Sequence, residues 1–133
     1  MATRSVIAAA AAALALAGCA VTPGKVDKPQ IRSVIQQFAE ADGPEACKLL
    51  SPTGLVDVYG GFSKPVAVAR QECLRRSTHF KGERVRVEGI MVENDSQANV
   101  SATNEKGTIE YTVRMVRLGP SWRIDNITES RAE

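Results

Sequence analysis

The chain has 133 residues, 44% of them hydrophobic and 24% charged, which supplies apolar material for one core and leaves no room for two ordinary domains. Seventeen Lys and Arg against fifteen Asp and Glu give a formal charge of +2, a near-neutral balance that argues against nucleic acid as a partner.

In chain order the first feature is a twelve-residue apolar run, Val6 to Ala17, preceded by Arg4 and closed by Leu16-Ala17-Gly18-Cys19. A bilayer core of about 30 Å needs roughly 20 apolar residues in helix, so the run is too short for a stable span. A charged start, a short apolar stretch and small residues at its end are the marks of an export signal. Leu16-Ala17-Gly18-Cys19 resembles the bacterial lipobox in full. That resemblance implies a diacylglycerol thioether on Cys19, cleavage just before it, and a protein held at the extracytoplasmic face of the bacterial cell membrane.

With Cys19 assigned to lipid, Cys47 and Cys73 remain as an even pair in an oxidising compartment, and a disulfide between them is expected. One histidine, His79, and two oxidised cysteines leave no zinc site of usual composition, and neither a metal nor a cofactor is expected. The organisation is then a signal peptide over 1–18, a lipidated tether over 19–28 carrying Pro23 and Gly24, and a single domain over 29–133.

Asp27, with Pro29 and Gln30 behind it, reads as the cap of a first helix. Ile31, Val34, Ile35 and Phe38 share one face of that helix and Gly43-Pro44 stops it. Pro44 to Leu50 forms a short second helix that Ser51-Pro52 ends. A third helix runs from about Ser63, its cap, to Thr78, with Val66, Ala69, Cys73 and Leu74 near one face, so the disulfide would join helix two to helix three.

From Glu83 the period changes to two. Val85 and Val87 alternate with Arg84, Arg86 and Glu88, and Gly89 marks a bulge before Ile90-Met91-Val92. Ala98, Val100 and Ala102 alternate with polar neighbours, as do Ile109, Tyr111, Val113 and Met115 after a turn at Asn104 to Gly107. Leu118-Gly119-Pro120 turns the chain into a last strand with Trp122, Ile124 and Ile127. The expected fold is α+β, with N-terminal helices packed on a four-stranded antiparallel sheet.

This order, together with Ala46-Cys47-Lys48-Leu49-Leu50-Ser51-Pro52, the later Cys73 and the closing Leu118-Gly119-Pro120-Ser121-Trp122-Arg123-Ile124-Asp125, resembles small actinobacterial lipoproteins of the nuclear-transport-factor-two-like, or cystatin-like, superfamily. The resemblance implies a cystatin-like cone, helices against a curved sheet, that in some members leaves an apolar pocket. Members range from ketosteroid-isomerase-like enzymes to binding modules, so chemistry has to be sought in the residues themselves.

Gly61-Phe62-Ser63-Lys64-Pro65 has Pro where a nucleophile elbow needs Gly, and His79 has no evident paired acid or nucleophile. An isomerase or hydrolase would need a pocket carboxylate and a hydrogen-bond donor. Asp57, between Val56 and Val58, with Tyr59 or Tyr111, is the one candidate set. Each has a plainer reading: Asp57 as a loop acid facing solvent, Tyr111 and Trp122 as core. Arg75, Arg76, Arg84, Arg86, Arg114 and Arg117 would form a basic stripe only if the strands aligned them, and Glu83, Glu88 and Glu110 are interleaved.

The sequence therefore points to a lipid-anchored, noncatalytic module that binds a small ligand or an envelope protein, the pocket enzyme using Asp57 being the alternative. Exposed sheet faces leave room for a homodimer. Metabolic labelling with a fatty acid should mark the wild-type protein and leave Cys19→Ala unlabelled; equal label in both removes the anchor.

Overall fold

The computed structural model describes residues 26–41, 44–60, 65–76 and 84–132. The signal, Cys19, most of the tether, Ser63 and His79 lie outside the described residues. Among those described, no helix is long and apolar enough to cross a membrane.

Helix α1 spans Asp27–Glu40 and buries Ile31, Ile35, Phe38 and Ala39, the stripe that its 3.6-residue period dictates. Asp27 is not its cap. The cap position is Val26, which makes no side-chain bond, and Asp27 and Lys28 are already helical. The Asp27 carboxylate is drawn elsewhere: Oδ1 accepts the indole N–H of Trp122 at 3.2 Å and lies 3.6 Å from Arg117 Nη1. An indole buried to 3% exposure needs such an acceptor, and a distant tryptophan has outcompeted the local cap.

Helix α2, Pro44–Lys48, carries Cys47. Ser51-Pro52 does not simply end a helical run; it begins another. Ser51 caps α3, Pro52–Leu55, by accepting the Gly54 N–H at 2.9 Å, and a π-helical turn over Val56–Gly60 follows. Helix α4, Val66–Arg76, buries Ala69 and Cys73 one turn apart, whereas Val66 and Leu74 face solvent. Cys47 and Cys73 are joined as expected, with Cα atoms 5.9 Å apart and a sequence separation of 26. The bond staples α2 to α4, and chain entropy assigns a loop of this length about 3.5 kcal/mol.

The sheet has the order β1-β2-β3-β4, all antiparallel: Val85–Asn94, Gln97–Asn104, Ile109–Leu118 and Ser121–Arg131. In β1 the register skips at Glu88, directly before Gly89, which returns Ile90 and Val92 to the face of Val85 and Val87 and leaves Met91 68% exposed. Asn104 builds the β2–β3 turn, its Oδ1 accepting the N–H groups of Thr108 and Ile109 while Gly107 adopts φ +69°. Gly119, at φ +60°, opens the two-residue β3–β4 turn.

Helix α1 lies against β1 and β4. Its apolar stripe meets Val87, Ala98, Val100, Ala102, Val113, Met115 and Ile124, and small alanines on β2 leave space for the larger side chains. Helix α4 packs on α2, α3 and the π-helical turn.

One junction ties these layers. The segment between α2 and α3 runs beside β4 as a single parallel bridge, Leu50 opposite Ile124. The Ile124 N–H donates to the Leu49 carbonyl at 2.8 Å and the Ser51 N–H donates to the Ile124 carbonyl at 2.9 Å. The register of β4 against β3 skips at Asp125, so this residue is an extra one, and its Oδ1 accepts the Ser51 hydroxyl at 2.7 Å. The bulge also explains why Ile124 and Ile127 sit three apart. Gly54 fits here because nothing else does: a Cβ would stand 2.1 Å from the Ile124 carbonyl oxygen. Gly54→Ala should cost about 2 kcal/mol or more through forced displacement of β4. Gly89→Ala, where a Cβ meets nothing within 4 Å, should stay within about 0.5 kcal/mol of wild type, both variants being measured by urea denaturation.

Candidate functional site

The three residues proposed for a pocket enzyme have separate structural fates. Asp57 stands in the π-helical turn, exposed, and its Oδ2 accepts the Ile127 N–H of β4 at 3.1 Å. It is not a free loop acid. β4 is an edge strand, and Asp57 satisfies an N–H on the side that β3 does not pair. Tyr111 is 5% exposed in the core on β3, between Ala102 of β2 and Glu129 of β4. Tyr59 is partly buried, and its hydroxyl is fully covered without a hydrogen-bond partner. Burial holds its pKa above the usual tyrosine value, which keeps the hydroxyl in its neutral, donating form. None of the depressions described is lined by Asp57, Tyr59 or Tyr111.

The basic stripe does not form either. Arg75 pairs with Glu72, Arg86 lies 3.6 Å from Glu88 and Arg117 from Asp27, while the register sets Arg86 across β2 from Glu110 and Arg114 level with Asn99. These are exposed or half-exposed pairs on a mixed face, each worth little to stability. No cluster of three or more potential metal ligands occurs among the described residues.

What the fold does assemble is an open groove of about 460 Å³ where α2, α3 and α4 meet the β3–β4 end of the sheet. Buried Cys47, Leu50 and Leu55 contribute to its floor, and Leu74 and Leu118, 47% and 42% exposed, contribute apolar surface to its lining. Three cations, Lys48, Arg70 and Arg123, line it, and among the described residues no carboxylate does. Arg123 is held in place by donating from Nη1 to the Lys48 carbonyl at 2.8 Å. Lys48 reaches Glu45, which stands outside the groove, at 3.1 Å, and both side chains are exposed. An apolar trough lined by cations is suited to an amphipathic anion: the chain is buried while the head group finds positive charge.

No family model, curated protein or solved structure matches this chain.

Reading the sequence missed the groove. Lys48 and Arg123 stand in the two segments that carry the resemblance, yet the two residues are 75 positions apart and nothing local says that they touch. Arg70, on the exposed face of α4, looks like any solvated helix cation. Asp57→Ala should lower stability by about 1 kcal/mol in urea denaturation, the contribution of one charge-assisted bond to an exposed N–H. It should leave ligand binding in the groove unchanged.

Proposed function

We propose that the chain is a lipid-anchored binding module of the bacterial cell envelope, held at the extracytoplasmic face by Cys19, with helices and sheet arranged as a cystatin-like cone. It works without catalysis and takes amphipathic anions into the groove between the helices and the β3–β4 end. The observation that carries this reading is the composition of the groove: among the described residues, three cations, no acid, and exposed leucines on α4 and at the end of β3. The enzymatic alternative asks for Asp57 and a tyrosine at one cavity, and the engagement of Asp57 with Ile127 counts against it.

The ligand-binding step can be tested with a dansyl-labelled fatty acid as probe on the Cys19→Ala protein, which carries no acyl chain of its own. Saturable binding is expected. Arg70→Glu should weaken it about tenfold, equivalent to about 1.4 kcal/mol, and Leu74→Asp should weaken it as well. Both side chains are exposed, so neither change disturbs the fold. Binding lost in Asp57→Ala but kept in the groove variants would return the site to Asp57.

A further inference from the structure

The start of α1 is fixed to one end of the sheet. Trp122 and Arg117, which flank the β3–β4 turn, both meet Asp27 Oδ1, so the tether enters the folded domain beside that turn. Cys19 lies seven residues before Val26, a reach of at most about 25 Å. If the anchor is at Cys19, this end of the domain cannot stand far from the bilayer.

The surface there has a composition suited to that position. Val26 is 56% and Leu118 42% exposed. Lys28, on the first turn of α1, is exposed, and Lys48 and Arg123 share a depression with Gln30 and Pro120, which puts them at the same end. Arg70 joins them across the groove. Among the described acids nearby, Asp27 is paired with Arg117 and Glu45 with Lys48, while Asp125 accepts the Ser51 hydroxyl. Lys25 of the tether adds a further cation in sequence.

We propose that this end, comprising Val26, Lys28, Leu118, Arg123 and Arg70, docks on the anionic lipid surface of the bilayer to which the chain is anchored, with the groove opening toward the lipid. The inference rests on the anchor at Cys19. Tether length confines the domain to the layer in which basic side chains feel an anionic surface, within about one Debye length of it. Docking then turns a loosely tethered domain into an oriented one.

Trp122, the single tryptophan, stands at this end and reports the distance. The acylated full-length protein is reconstituted in vesicles containing a dansyl-headgroup lipid, with phosphatidylcholine alone or mixed with phosphatidylglycerol, and energy transfer from Trp122 is read. Transfer should be higher in the phosphatidylglycerol vesicles, and the increment should vanish at high salt and in Lys28→Glu/Arg70→Glu. Both side chains are exposed and neither forms a hydrogen bond or ion pair with a described residue, and circular dichroism of the variant verifies that the fold is kept. Equal transfer in the two lipids, or an increment that survives the double reversal, overturns the docking. High transfer in both lipids, insensitive to salt, means apolar insertion and also overturns it. Protein that takes up no fatty-acid label and leaves the vesicles overturns the anchor, a failure separate from the first two.

Discussion

The structure depends on one backbone crossing, the place where Leu49, Leu50 and Ser51 run alongside Ile124. Two main-chain hydrogen bonds join a segment from the helical half of the chain to the last strand of the sheet half. A strand edge would otherwise present unpaired N–H and C=O groups, which attract further strands, and this crossing covers the edge of β4 with the protein's own chain. Everything nearby serves the close approach. Gly54 leaves out the atom that would collide with the Ile124 carbonyl, Ser51 caps α3 while donating to Asp125, and the extra residue in β4 makes Asp125 available to it. Asp57 extends the same cover one step further along the strand.

The disulfide acts beside this junction rather than within it. Cys47 belongs to α2, just before the crossing segment, and Cys73 to α4, so the bond holds α4 over the helices that touch β4. With few helical residues in α2 and α3, neither helix would persist alone. Their order comes from tertiary contacts: a covalent link on one side and main-chain bonds to β4 on the other.

The groove is a consequence of the same arrangement. Because the crossing brings α2 and α3 to the edge of the sheet, Lys48 and Arg123 come within one hydrogen bond of each other, and α4, stapled above, contributes Arg70 and Leu74. Asp57 accepts an N–H of the edge strand, while Tyr59 keeps a covered hydroxyl with no hydrogen-bond partner among the described residues. The bond from Trp122 to Asp27 fixes where the start of α1 meets the sheet.

Periodicity by itself determined a great deal: the α1 stripe, the antiparallel meander of β1 to β4, the bulge at Gly89 and the turns at Gly107 and Gly119 all follow from local spacing and backbone preference. With Cys19 set aside, cysteine count left Cys47 and Cys73 as a pair, and the two are joined. Local reading failed where a distant partner overrode a local one. Asp27 looks like a cap and is taken by Trp122; Ser51-Pro52 looks like a stop and is a start, since Ser51 is held by Ile124 and Asp125; Asp57 looks like a loop acid and binds β4. The groove was illegible for the same reason, its cations coming from three separated segments. Local spacing decides which face of an element is apolar. Which polar side chain meets which backbone group across 70 or more residues is decided only when the elements pack.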